Sequence, residues 1–194
     1  MKNVIKSILE DSLRVKRSGI ENNLDRLMEA ARMLTDCIGS ANKIYIFGNG
    51  GSAADAQHLA AEFINRFQIE RTPLPAMALS TDTSILTSIG NDYSFDDVFA
   101  KQITALGAEN DLAWGISTSG NSVNVVKALE TAQTLGMATL GMTGRGGQMT
   151  ACTDLLLTVD SDTTARIQET HITMGHILCE LVDRTLYPDQ FGEQ

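Results

Sequence analysis

From Lys43 onward, five short apolar runs alternate with stretches of helical periodicity, and this alternation constrains the fold more than any other feature. The runs are KIYIF (43–47), PAMAL (75–79), DLAWGIS (111–117), MATLGMT (137–143) and DLLLTV (154–159). Most are continuously apolar, as strands covered on both faces must be, rather than alternating apolar and polar. Helical patterns occupy 52–66, 95–106, 122–135 and about 164 to 186. A β-α-β-α order of this kind predicts an α/β fold: a three-layer, doubly wound, parallel five-stranded sheet. Right-handed crossovers place helices on both of its faces.

The first 40 residues read differently. Ile20, Leu24, Leu27, Met28, Ala31, Leu34 and Ile38 recur at steps of three and four, which predicts a two-helix extension with a wide apolar stripe. Residues 1–40 are expected to belong to one unit with 41–194. The sheet already has helices for cover, so the expected home of the stripe is a subunit interface.

At 194 residues the chain is long enough to bury roughly 70% of its unfolded surface. The net charge of −9 and pI near 4.7 disfavour nucleic-acid binding, which needs clustered Lys and Arg, but leave room for a small anionic ligand held by local donors. Cys37, Cys152 and Cys179 form no CxxC pattern and read as idle thiols of a reducing compartment. The opening MKNVIKSILEDSLRVKRSG is interrupted by charge every few residues. No apolar run approaches the roughly 20 residues of a membrane span. A cytoplasmic protein without membrane or nucleic-acid partners is expected.

In open parallel sheets ligands bind beyond the carboxyl ends of the strands, so the loops there carry the functional information. The first is Gly48-Asn49-Gly50-Gly51-Ser52, running into a helix. Glycines let backbone N–H groups approach a ligand, and a helix N-terminus favours an anion. Gly48, Gly50 and Ala53 also match the loose dinucleotide pattern G-x-G-x-x-A. The acidic residue that pattern wants about 20 positions on is missing, and Asp82 stands roughly 30 on. The second loop is Ser117-Thr118-Ser119-Gly120-Asn121-Ser122, whose four hydroxyls and several N–H groups form a phosphate cradle without a lysine. An elaborate N-cap is the plainer alternative. Thr143-Gly144-Arg145-Gly146-Gly147 is weaker and reads mainly as a turn. Gly90-Asn91-Asp92-Tyr93 is a turn and cap sequence first, with Asn91 and Asp92 placed for a substrate hydroxyl.

The helix after the glycine turn carries Asp55, His58, Glu62 and Arg66 on one face, and the last helix carries Gln168, His171 and His176. Gln168 and His176 lie about 80° apart on a helical wheel, so both can face one site. His58 and Glu62 at i, i+4, with Gln168 and His176, could supply four ligands to a divalent metal. A solvated face and core or interface histidines are the alternatives that spacing alone leaves open. The metal reading requires the last helix to reach the one after the glycine turn across the fold.

Taken together, GNGGS, AQHLAAEFINRF, LSTDTSILTSIGNDYSFDDVFAKQI, ISTSGNS and ARIQETH with the later His176 resemble the phosphoheptose isomerases of the sugar-isomerase (SIS) domain family. ISTSGNS is shared among SIS domains and speaks for a phosphosugar. The combination of HxxxE with RIQExH is the more specific part. The resemblance implies an aldose–ketose isomerase acting on sedoheptulose 7-phosphate, with a place in heptose supply for lipopolysaccharide. It implies a homotetramer with active sites between subunits, and zinc held by His58, Glu62, Gln168 and His176. It further implies substrate contacts from Asn49, Gly50, Gly51, Asn91, Asp92, Ser117, Thr118, Ser119, Ser122 and Gln168. On that reading Glu62, also a substrate contact, and His176 are the catalytic base and acid. A non-catalytic group, replication regulators that associate with the DnaA initiator, is similar in an INRF-like segment and an LYPDQ-like end. It lacks the full metal and acid–base set, whereas Glu62 and His176 are both in place here.

Overall fold

All five apolar runs are strands, each within a residue of its expected bounds. The computed structural model describes residues 1–192. The strands are β1 (Ile44–Gly48), β2 (Ala76–Ala78), β3 (Leu112–Ser117), β4 (Ala138–Thr143) and β5 (Leu155–Thr158). The helices are α1 (Lys2–Glu21), α2 (Leu24–Gly39), α3 (Gly51–Ile64), α4 (Thr83–Asp92), α5 (Ala100–Leu106), α6 (Val123–Thr134) and α7 (Thr164–Leu186). Every pairing is parallel, in the order β2-β1-β3-β4-β5. The order reverses between β1 and β3, which opens a crevice at their carboxyl ends.

Alternate residues of a strand point to opposite faces, and the core divides accordingly. Ile44, Ile46, Trp114, Ile116 and Met142 pack into one cluster with side chains of α2, α3 and α7. Tyr45, Phe47 and Ala113 face the other way, into a cluster with α5 and α6. This is the expected three-layer arrangement, and among the described residues no helix is long and apolar enough to cross a membrane.

The N-terminal stripe is divided by a break at Asn22 and Asn23. Asn23 is buried, and its amide donates to Gly19 O and Thr158 O at 2.7 and 2.8 Å, tying the turn to β5. Leu27, Ala31 and Leu34 are buried within the chain, while Leu24 and Met28 each stay 57% exposed. Burial by the chain itself therefore takes most of α2. It does not reach the first half of α1, where Val4, Ile5, Ile8, Leu9 and Leu13 are exposed.

The helix expected over 95–106 is a 3₁₀ turn, Phe95–Asp97, followed by the shorter α5. Asn91 and Asp92, read as a turn, close α4 instead; its start is capped by Asp82, whose carboxylate accepts from Ile85 N at 2.9 Å.

Candidate active site

Helix α3 starts directly from the glycine turn. Gly50 sits at its N-cap with φ 56°, a conformation that costs glycine little and other residues much. Gly51 is needed for a different reason: a Cβ there would fall on the Gln168 amide of α7. Further along, a Cβ on Gly175 would stand 2.5 Å from Leu59 Cδ2. Two glycines thus let α3 and α7 approach closely. The helices run in the same direction, with Gly51 beside Gln168 and Leu59 beside Gly175.

That approach brings the histidines together. His58 Nε2 and His176 Nε2 are 2.8 Å apart, across 118 positions of sequence. Glu62 Oε1 lies 3.3 Å from the same His58 nitrogen. The imidazole rings meet edge to face at 5.0 Å, and the Phe67 ring lies 5.4 Å from that of His176. Burial, with His58 as neighbour, holds His176 below the usual histidine range, while Glu62 acts the other way. Asp55, one turn before His58, has a buried Oδ2 that meets no hydrogen-bond partner among the described residues. Burial pushes its carboxyl up to about 6, against the pull of His58.

His58, Glu62 and His176 therefore converge within a single chain, and the subunit boundary expected between them is not needed. Gln168 stands at the start of α3, against the glycine turn. Arg66, on the same polar face as His58 and Glu62, pairs outward with Glu70 at 2.6 Å. Among the described residues no three His, Cys, Asp or Glu side chains are already splayed around a metal position. The nitrogens instead face each other at hydrogen-bond distance. Two imidazoles and a carboxylate are nonetheless the donor chemistry of a zinc-type cation, and their convergence fits one.

The serine loop follows β3. Ser117 Oγ lies 2.9 Å from Ser122 Oγ and 3.3 Å from Ser119 Oγ, so the hydroxyls bond one another. The Ser122 side chain does not cap α6, although it occupies the N-cap position. The plain capping explanation thus fails for Ser122. The loop is braced from β4: Gly144 N donates to Thr118 O at 3.0 Å, and Gln148 N to Asn121 Oδ1 at 3.0 Å. The Thr143–Gly147 segment is this brace. Asn91 and Asp92 are exposed, their side chains bonded to each other at 2.7 Å and, among the described residues, to neither the serine loop nor the imidazoles.

Sequence reading missed the pairs that hold these parts in place. Asn49 and buried Asn124 exchange two amide hydrogen bonds between the glycine turn and α6. Arg71 and Asp183, also missed, join the loop after α3 to α7. Asn124 sits two residues past a loop already singled out, which was a usable signal. Arg71, in a polar stretch, carried none.

A parallel sheet with its switch point between β1 and β3, a hydroxyl-rich loop at the end of β3 and a cluster of two imidazoles and a carboxylate on flanking helices place the chain in the class of α/β domains built to bind ligands at the strand ends. The SIS domain family model matches residues 9–144, and the chain belongs to that family, among its phosphoheptose isomerases. It is 55% identical over 185 residues to the phosphoheptose isomerase of Nitratidesulfovibrio vulgaris, covering 95% of this chain and 89% of that one. The solved phosphoheptose isomerase GmhA of Neisseria gonorrhoeae superposes with a TM-score of 0.89 at 44% identity, covering 94% of this chain and 98% of that one. The one from Francisella tularensis gives 0.90 at 38% identity, covering 94% and 97%.

Proposed function

We propose that this chain interconverts sedoheptulose 7-phosphate and D-glycero-D-manno-heptose 7-phosphate, an aldose–ketose isomerisation that feeds heptose synthesis. The observation that carries the reading is the meeting of His176 with His58 and Glu62, two to three turns along α3 from the glycine turn. A domain that only bound sugar phosphates would need the serine loop and not this cluster. The regulatory alternative finds no support among the relatives, which are named as isomerases.

The reaction moves one proton between C1 and C2 and another between their oxygens. From the ketose, the Glu62 carboxylate removes a proton from C1. The electron pair forms the C1–C2 double bond, and the C2 oxygen takes a proton from His176. Return of the carbon-bound proton to C2, as the C1 hydroxyl surrenders its own to His176, gives the aldose. Proton transfer by placed groups contributes typically about 10²–10⁴-fold. Ser117, Thr118, Ser119 and Ser122 hold the phosphate at the far end, so that C1 and C2 lie between acid and base. Asn49, Gly50, Gly51 and Gln168 line the path between the two ends. The Asn49 amide is held in place by its two bonds with Asn124, leaving one N–H and one oxygen lone pair for the sugar. Asn91 and Asp92 contribute hydroxyl contacts in the assembled enzyme.

A divalent cation, zinc on the family resemblance, would be held by His58, Glu62 and His176 with Gln168, and would supply electrophilic stabilisation of negative charge on the sugar oxygens. The assembly we propose is a cytoplasmic homotetramer of single units, residues 1–40 with 41–194, whose sites are completed by neighbouring subunits. The uncovered apolar side of α1 supports that assembly. A coupled assay on purified protein tests the reading: turnover of sedoheptulose 7-phosphate, lost on chelation and restored by zinc, supports it. Absence of turnover in zinc-loaded protein overturns it.

A further inference from the structure

Helix α3 ends at Ile64, so Glu62 lies in its last turn, where backbone carbonyls lack partners within the helix and ends fray. The Glu62 side chain is 20% exposed and that of His58 47%, so their own packing does not fix them. Leu74 N donates to Phe63 O at 3.0 Å, and the rest of this turn is held by the guanidinium of Arg71, returning from the loop beyond. Its Nη2 donates to Glu62 O at 2.9 Å and its Nη1 to Phe63 O at 2.9 Å. Its Nε donates to Asp183 Oδ1 at 2.6 Å, and both side chains of this ion pair are 1% exposed. Asp183 lies on α7 about two turns past His176, on the same face. Among the described residues its Oδ2 meets no hydrogen-bond partner, and the carboxylate's one polar partner is Arg71.

We propose that Arg71 and Asp183 are positioning residues for the acid–base cluster. Their ion pair fixes the last turn of α3 to α7, setting the separation of Glu62 and His58 from His176. The inference rests on the isomerase reading for its kinetic consequence, but not for the geometry it claims. Neither residue touches the serine loop, so the clamp governs kcat and not phosphate binding. Arginine suits the position because its rigid fork spans two carbonyls and a carboxylate at once, which the point charge of lysine cannot do.

The test compares Arg71→Lys, Asp183→Asn and the double variant Arg71→Met/Asp183→Leu, in which both buried charges are removed together so that neither is left unpaired. Circular dichroism and melting establish folding. In folded variants kcat is expected to fall roughly 10–100-fold, the loss typical when groups that orient site residues are removed, with KM for sedoheptulose 7-phosphate within about twofold. Zinc affinity, read by competition with a chromophoric chelator, should weaken over the same range. The chain has three histidines, so imidazole ¹⁵N shifts in metal-free protein report His58 and His176 directly, and these should move. Folded variants with wild-type kcat and unshifted His58 and His176 signals overturn the proposal. So does unfolding of every variant, which would make the pair a stability element only. If the wild-type protein shows no turnover, the isomerase reading fails while the imidazole signals still decide the clamp.

Discussion

Asn49 and Asn124 face each other amide to amide, each donating to the other's carbonyl, at 2.8 and 2.9 Å. The pair bridges the glycine turn after β1 and the first turn of α6, the two sides of the crevice where the strand order reverses. Asn124→Ala removes both bonds and frees the turn. KM for the phosphosugar should rise, and stability should fall by about 1–3 kcal/mol. Asn49→Ala should produce nearly the same stability loss, and the double variant little more, since one interaction is cut twice. Urea unfolding of the three variants checks this; additive losses would separate the two residues.

Glu62→Gln keeps the shape of the side chain and removes its capacity to accept a proton. Turnover should fall by roughly 10²–10⁴-fold. The melting temperature should change little, because the side chain is partly exposed and its backbone carbonyl, held by Arg71, is unaltered. Steady-state kinetics alongside calorimetry separates these effects. Substantial retained isomerisation would remove Glu62 from the role of base.

Ser119 is exposed at the tip of the serine loop, and its Oγ accepts from Asn121 N at 3.1 Å. Ser119→Ala removes one hydroxyl from the phosphate cradle. A hydrogen bond to a charged group is worth about 1.5–3 kcal/mol, so KM should rise roughly 10–100-fold with a smaller change in kcat. Inorganic phosphate should also compete less well against substrate. An unchanged KM would place the phosphate elsewhere.

His171 is wholly buried, with Nε2 3.1 Å from Thr143 O and Nδ1 without a partner among the described residues. Burial pushes its imidazole down from 6.5 to about 4. Between those two values the unfolded chain binds a proton that the folded chain refuses, so stability falls with falling pH. The contribution is full above 6.5, declines through the window and is lost below about 4. The whole shift corresponds to about 3 kcal/mol. Urea unfolding at pH 7 and at pH 5 should show the decline, and His171→Gln should flatten it. A variant with the wild-type pH slope would show that other groups set the dependence.

The strands and the glycine turn were legible because their signals are local. A continuous apolar run such as DLAWGIS needs cover on both faces wherever it lies, and GNGGS leading into a helix needs no tertiary partner to be read. The spacing of His58 and Glu62, and of Gln168 and His176, was legible for the same reason. That all of the imidazole cluster comes from one chain was not, because spacing fixes the faces of helices and not the distance between them. Here that distance is set by Gly51 and Gly175, and it closed within the subunit. Arg71 and Asp183 were illegible for a related reason. In QIERTP an arginine reads as a solvated charge, and only the return of the loop under α3 buries it against a carboxylate 112 positions away. The two helices of the N-terminal extension were expected, whereas the outward placement of Leu24 and Met28 was not, because they continue the apolar period of the buried stripe.

The parallel pairing of α3 with α7 also orders events during synthesis. A nascent polypeptide that has emerged as far as α6 carries the serine loop and Glu62, yet lacks both the segment after β4 that braces that loop and the imidazole of His176. Until Thr164–Leu186 docks, the His58–Glu62–His176 cluster does not exist, so on the proposed reading turnover waits for the last helix to be made.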